Sequence, residues 1–196
     1  EYARQKRLNG VGGESGNVFE YVPAGIRRDG QAYDAKIRLK GDRHIHYEDI
    51  NKLSFRVKID GDNTLFGMKV FSLQKPRARN YIYEWLFLEM MKQEGIIAPE
   101  YKFINVSLNG KDLGVYALEE HYGKYLIERY GHREGPIIRF SENLGARDYR
   151  KTSILPYGKK KWMAKENVPA TKRAVYLLEE FIRGKTSLAK TFDVKK

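Results

Sequence analysis

Apolar and polar residues alternate along much of the first two thirds of this chain. Leu53, Phe55, Val57 and Ile59 alternate with Ser54, Arg56 and Lys58, the period-two pattern of a half-buried strand. Ala35, Ile37 and Leu39 alternate in the same way with Lys36, Arg38 and Lys40, predicting a strand over Gln31–Lys40. An earlier strand is expected over Val18–Val22, with Arg28-Asp29-Gly30 as the turn between the two. Asp60-Gly61 supplies the next turn and FSLQ the next strand. Asn109-Gly110, between two alternating runs, predicts a hairpin over 101–118. Arg79–Glu94 is apolar around most of its circumference and stops at Gly95. It reads as a helix buried on several sides. A short amphipathic helix follows in GKYLIERYG, and Ala170–Arg183 carries an apolar stripe ended by Gly184. The pattern predicts an α+β fold: a mostly antiparallel sheet, a buried helix and a C-terminal helical extension.

Between these elements the periodicity lapses twice. Residues 1–17 form a polar, glycine-rich lead-in, and 141–169 a basic stretch without regular period. The expected divisions are therefore 1–17, 18–140 as the α+β core, 141–169 as an irregular loop, and 170–196 as the C-terminal helix and the truncated end of the domain. Asp193 reads as an N-cap for a helix that does not follow, and the chain begins at Glu1 without Met. Both suggest a piece of a longer protein.

Composition narrows the chemistry. The 196 residues are 41% hydrophobic and 13% aromatic, enough for a folded core. Without cysteine, neither disulfides nor thiolate metal sites are available. No apolar run is long enough for a membrane span. The net charge of +12 calls for an anionic partner or serves solubility.

Several candidate sites compete. The polar faces of the two alternating strands are wholly cationic, so if the strands are neighbours, like charges oppose each other. A bound polyanion or interleaved acidic residues would relieve that repulsion, and the pattern leaves both open. His44 and His46 have the spacing of a metal pair, but a third ligand such as Glu48 or Asp49 would have to fold back, which favours a solvated loop. Gly10-Val11-Gly12 lacks the third glycine and the preceding strand of a dinucleotide loop. Lys159, Lys160 and Lys161 beside Trp162 could stack on and neutralise a nucleic acid, but a basic loop explains them as well, and nucleic acid is the weaker expectation.

The blocks IRLKGD, KLSFRVKI, LFG, FSLQ, the long helix and IIAPEYKFINVSLNGKDLGVYALEEH, in this order, resemble the CotH family of spore-coat protein H-like atypical kinases. The resemblance covers roughly residues 20–142. It departs at Lys40-Gly41-Asp42, where the family usually has Arg-Gly and a small polar residue. It implies a kinase N-lobe-like arrangement in which Lys52 and Arg56, with Lys40 and Arg38, meet phosphate. Glu84, or else Glu89, would pair with one of these cations. Backbone groups of Glu119, Glu120 and His121 would face adenine. The intact parent would transfer phosphate from ATP to protein serine or threonine with Mg or Mn. The family's acidic metal-binding segment is expected beyond this chain, which alone would be inactive. A coat, cell-surface or secreted setting is equally implied, and with it the alternative of a non-catalytic structural or surface-interaction domain.

Overall fold

In the computed structural model, residues 20–41, 43–140, 154–164 and 167–192 are described. The chain divides into two compact units, Glu1–His121 and Tyr122–Lys196.

The first unit is built on a six-stranded antiparallel sheet. Its strands are β1 (Val22–Arg28), β2 (Gln31–Leu39), β3 (Phe55–Ile59), β4 (Val70–Gln74), β5 (Tyr101–Leu108) and β6 (Lys111–Glu120). Their spatial order is β1-β2-β3-β4-β6-β5. Two tight hairpins follow the expected turn chemistry. Asp29 and Gly30 have φ of 49° and 78°, and Asn109 and Gly110 have 51° and 80°. Left-handed φ at both central residues matches the twist of the flanking strands. The first strand begins at Val22, where the sequence pattern ended it. The residues that pair with β2 are VPAGIRR, whose alternation is masked by Pro23 and Gly25.

One face of the sheet carries the apolar core of Ala35, Val57, Ile59, Leu65, Met68, Phe71 and Leu118. The sheet curls around this face, because both edge strands, β1 and β5, line a common cavity of about 350 Å³ there. On the other face, helix α1 (Tyr83–Gln93) contributes Leu88 to a smaller cluster with Ala98, Tyr101 and Ala117. Gly95, with φ of 70°, closes this helix as expected: its N–H donates to Lys92 O, and that of Ile96 to Met91 O.

The helix is not buried on several sides. Of its residues only Leu88 is buried, while Tyr83, Phe87 and Met90 are 69%, 57% and 57% exposed. It is also shorter than the apolar run. Pro76–Arg79 form a 3₁₀ turn, and Asn80 and Tyr81 adopt left-handed φ of 51° and 60° before the helix begins. A single helix on one sheet face has only one side to cover, so an apolar circumference is not evidence of burial all round.

The second unit is small. It comprises α2 (Lys124–Arg129), the hairpin β7 (Ile138–Phe140) and β8 (Ile154–Pro156), α3 (Lys159–Trp162), α4 (Val168–Ile182) and α5 (Leu188–Thr191). The helical extension is thus one long helix with short companions. Pro169 stands in the first turn of α4, where its missing N–H costs nothing. Part of the stretch expected to be irregular is ordered here as β8 and α3. Residues 1–19, 42, 141–153, 165–166 and 193–196 lie outside the described residues. The lead-in, Asp42 and the Asp193 cap are among them.

Candidate functional site

The strand pairings place Arg38, Arg56, Ser72, Glu119 and Tyr101 in one row across β2, β3, β4, β6 and β5. Directly paired residues project to the same face, here the one opposite the cavity. The like-charge oppositions that the sequence implied are real: Lys36 pairs with Lys58, and Arg38 with Arg56. Lys36 is relieved by Asp60 at 3.9 Å. The Arg38–Arg56 end of the sheet is answered by Glu119.

Glu119 is the hub of a partly buried polar cluster. Its Oε2 accepts from Lys40 Nζ at 3.0 Å and from Gln74 Nε2 at 2.6 Å, and its Oε1 accepts from Arg79 at 3.2 Å. Lys40 Nζ also donates to Gln74 Oε1 at 2.7 Å. The four side chains come from the end of β2, from β4, from the 3₁₀ turn after β4 and from β6. Lys40 continues the alternation of β2, so it shares a face with Arg38. Its own N–H donates to Ser54 O, which fixes the chain as it leaves the sheet.

The charge balance of this cluster is uneven. Burial would raise the Glu119 carboxyl, but Lys40, Arg79 and Arg56 outweigh it and hold the group below the usual carboxylate range. Lys40, although paired, is held below the usual lysine value: burial does most of this, Glu119 opposes it, and Arg79 and Arg56 add repulsion. The two partners shift in ways that a simple ion pair would not. Several cations lower the one carboxylate they share, while at Lys40 burial outweighs the attraction of that carboxylate. His121, at the end of β6, feels this field as well. Burial, followed by the charge of Arg56, pushes it down to about 4. Tyr101, next to Glu119, is raised by burial and by that carboxylate. Its hydroxyl lies close to the Gln74 side chain without completing a hydrogen bond among the described residues.

Gly41 follows Lys40 and cannot carry a side chain. Its φ is 104°, and a Cβ there would fall 2.1 Å from the His46 ring. His46 is buried against Ser54 Oγ at 3.1 Å, whereas His44 is exposed and contacts Glu48 at 3.3 Å. The two histidines are therefore not a metal pair, and they stand on a 3₁₀ turn rather than on a strand. No group of three or more His, Asp or Glu that could hold a metal occurs among the described residues.

The other expected site residues are placed as follows. Lys52 precedes β3 and donates to Leu113 O at 2.8 Å, its ammonium 5.0 Å from the centre of the Tyr116 ring. Tyr116 and Glu119 lie on opposite faces of β6, so Lys52 and Arg56 are not brought together. The period-two reading ran from Leu53 to Ile59, but the strand itself begins only at Phe55. Glu84 makes no ion pair among the described residues, and its charge acts on Arg79 and Tyr101. Glu89 pairs with Lys92 at 2.8 Å. The N–H groups of Glu120 and His121 are taken up by Glu100 O and Val70 O, and the Glu120 carboxylate accepts from Glu100 N–H. Sheet closure thus consumes the donors that a purine edge would need. In the second unit, Lys161 pairs with Glu134 and lies over Trp162 at 5.3 Å, which neutralises part of the basic run.

The sequence did not single out Arg79, Gln74 or Ser72. Arg79 had been absorbed into the helix, although Pro76 at the head of PRARN signals a separate turn.

No helix among the described residues is long and apolar enough to cross a membrane. A search of curated proteins finds no match. The family model described as CotH kinase protein matches residues 37–187, a span that takes in Arg38, Lys40, Arg56, Arg79 and Glu119. The chain belongs to the CotH kinase protein family.

Proposed function

We propose that this chain carries the phosphate-holding part of a protein kinase that uses ATP, with the triphosphate drawn to the sheet face around Arg38, Lys40 and Arg56. The observation that carries the reading is the uneven balance of the Glu119 cluster. Lys40 and Arg79 both meet the carboxylate of Glu119, Arg56 adds its charge to it, and Arg38 stands opposite Arg56 in the same row. A surplus of positive charge on a partly buried face is costly unless an anion offsets it. An oxyanion-rich ligand would accept charge-assisted hydrogen bonds there. Membership of the family supports protein serine or threonine as the phosphate acceptor, and the 3.0 Å bond from Lys40 supports Glu119 as the acid that orients it. The residues described fit phosphate. No carboxylate cluster that could hold Mg or Mn occurs among the described residues. A bound metal would neutralise charge developing on the transferred phosphoryl group. A coat-type domain that binds no nucleotide is the second reading, favoured by the occupied N–H groups of Glu120 and His121.

The test is calorimetric titration of ATP, and separately of tripolyphosphate, against the wild type, Arg56→Ala and Lys52→Ala. Arg56→Ala is expected to weaken both ligands by about 1–3 kcal/mol, the range of a hydrogen bond to a charged group. Lys52→Ala is expected to leave both nearly unchanged, since its ammonium is committed to Leu113 O. Absence of saturable binding to the wild type at low salt would favour the structural reading. Equal losses for the two variants would mean that the cluster is not the phosphate site.

A further inference from the structure

The opposite face of the sheet encloses the cavity of about 350 Å³. Protein interiors normally fill such space to crystal-like density. Here the space persists because β1 and β5, the two sheet edges, both border it but are not paired to each other. Its walls include Ile37, Val57, Phe71, Leu73 and Leu118, and no Asp or Glu lines it. Arg28 of β1 stands at its border and is exposed, while the neighbouring Arg27 projects to the other face of the sheet. Arg28 has the exposed Asp29 as its ion-pair partner at 2.9 Å.

A second observation marks the same mouth. Phe66, one of the lining residues, is held at φ of 55°, a left-handed conformation that an aromatic residue rarely adopts. Its ring is flanked by cations from both sheet edges, with the Arg28 guanidinium 3.8 Å and the Lys102 ammonium 5.4 Å from its centre. Lys102 has Glu100 at 3.7 Å as its surface partner. The mouth is therefore basic and the interior apolar.

We propose that this cavity binds a single-chain anionic amphiphile, with its tail inside the curl and its head group at Arg28 and Lys102. The volume lies within the range of small-ligand sites. A methylene takes up about the same ~30 Å³ as a water molecule, so the tail would run to about a dozen carbons. The ligand is either a free fatty acid or the acyl chain of an anionic lipid, since both present an apolar chain beneath a negative head. The site is separate from the Glu119 cluster on the other face and does not depend on the kinase reading.

The experiment titrates dodecanoate, below its micelle concentration, and dodecyltrimethylammonium into the full chain. Dodecanoate is expected to bind saturably and at least tenfold more tightly than the cationic analogue. Arg28→Glu with Lys102→Glu is expected to reverse that preference. Ala24→Trp and Leu108→Trp, which fill the cavity from opposite edge strands, are each expected to abolish binding of both. Far-UV circular dichroism checks that the fold persists. Two fillers are used so that one failure to fold leaves the other decisive. Phe87→Ser, on the exposed face of α1, is expected to leave dodecanoate binding unchanged. Flotation with phosphatidylglycerol vesicles distinguishes the sources: co-flotation lost on Ala24→Trp assigns a lipid chain, and dodecanoate binding without co-flotation assigns a free acid. No saturable dodecanoate binding, or binding that survives in a folded cavity-filling variant, overturns the proposal.

Discussion

Replacing Glu119 by Gln would test the organisation of the buried cluster most directly. The substitution keeps the shape and removes the charge, leaving Lys40 and Arg79 without their carboxylate. Breaking a buried pair by removing one partner costs about 3–5 kcal/mol, because the surviving charges stay desolvated. The penalty should stand at the lower end of that range, since Lys40 is buried but Arg79 keeps 36% of its side chain exposed to solvent. Urea unfolding at pH 7 gives the loss directly as a fall in midpoint at constant slope. The pH dependence supplies a second reading. Glu119 is depressed in the folded state, so its contribution is present above the unfolded carboxyl value and is lost as pH falls through the folded one. The difference between wild type and Glu119→Gln should therefore narrow only in acid, below the ordinary carboxylate range. Lys40→Met in the same background should recover part of the loss, as coupled sites do in a double-mutant cycle. A penalty under about 1 kcal/mol at pH 7, or additive effects of the two substitutions, would refute a shared carboxylate.

Two further outcomes follow from neighbouring groups. Gly41→Ala should destabilise the chain by about 1–3 kcal/mol, through left-handed strain together with displacement of the His46 ring, and thermal unfolding would register it. His121 should stay neutral until pH approaches about 4, so its imidazole resonances should not titrate between pH 8 and 5. A depressed histidine contributes stability that is complete above its unfolded value and is lost as pH falls through the folded one. His121→Gln should therefore flatten the acid limb of the stability curve.

The strands were legible wherever side chains alternate and a turn residue closes them. The Asn109-Gly110 hairpin and the Lys36–Lys58 and Arg38–Arg56 oppositions could be anticipated from spacing alone. Val22–Arg28 could not, because Pro23 and Gly25 interrupt its alternation. The cluster was half visible. Lys40, Arg56 and Glu119 were each singled out, but for separate duties, and Lys52 was grouped with Arg56. Parity assigns a side chain to a face only within one strand, and Lys52 stands before its strand begins. That Glu119 joins Lys40 depends on β4 pairing with β6 instead of β5, a choice of sheet order with no local signature. The apolar helix misled for a related reason. Its composition records what the surface is made of, not how much of it this chain covers.

The sheet order also bears on how the molecule assembles. β1 to β4 form one run of neighbouring strands and β5–β6 another, each built of strands consecutive in sequence. Only the β4–β6 seam joins them, and the Lys40–Glu119 bond across it spans 79 positions of chain. Closing so long a loop is slow compared with forming a hairpin. Both runs can therefore take shape while Lys40 and Glu119 are still hydrated in separate pieces. The desolvation of these charges is postponed to the step that brings the two runs together. A sheet seamed by a salt bridge at its centre can admit its costly charges last, and only in the register that pairs them.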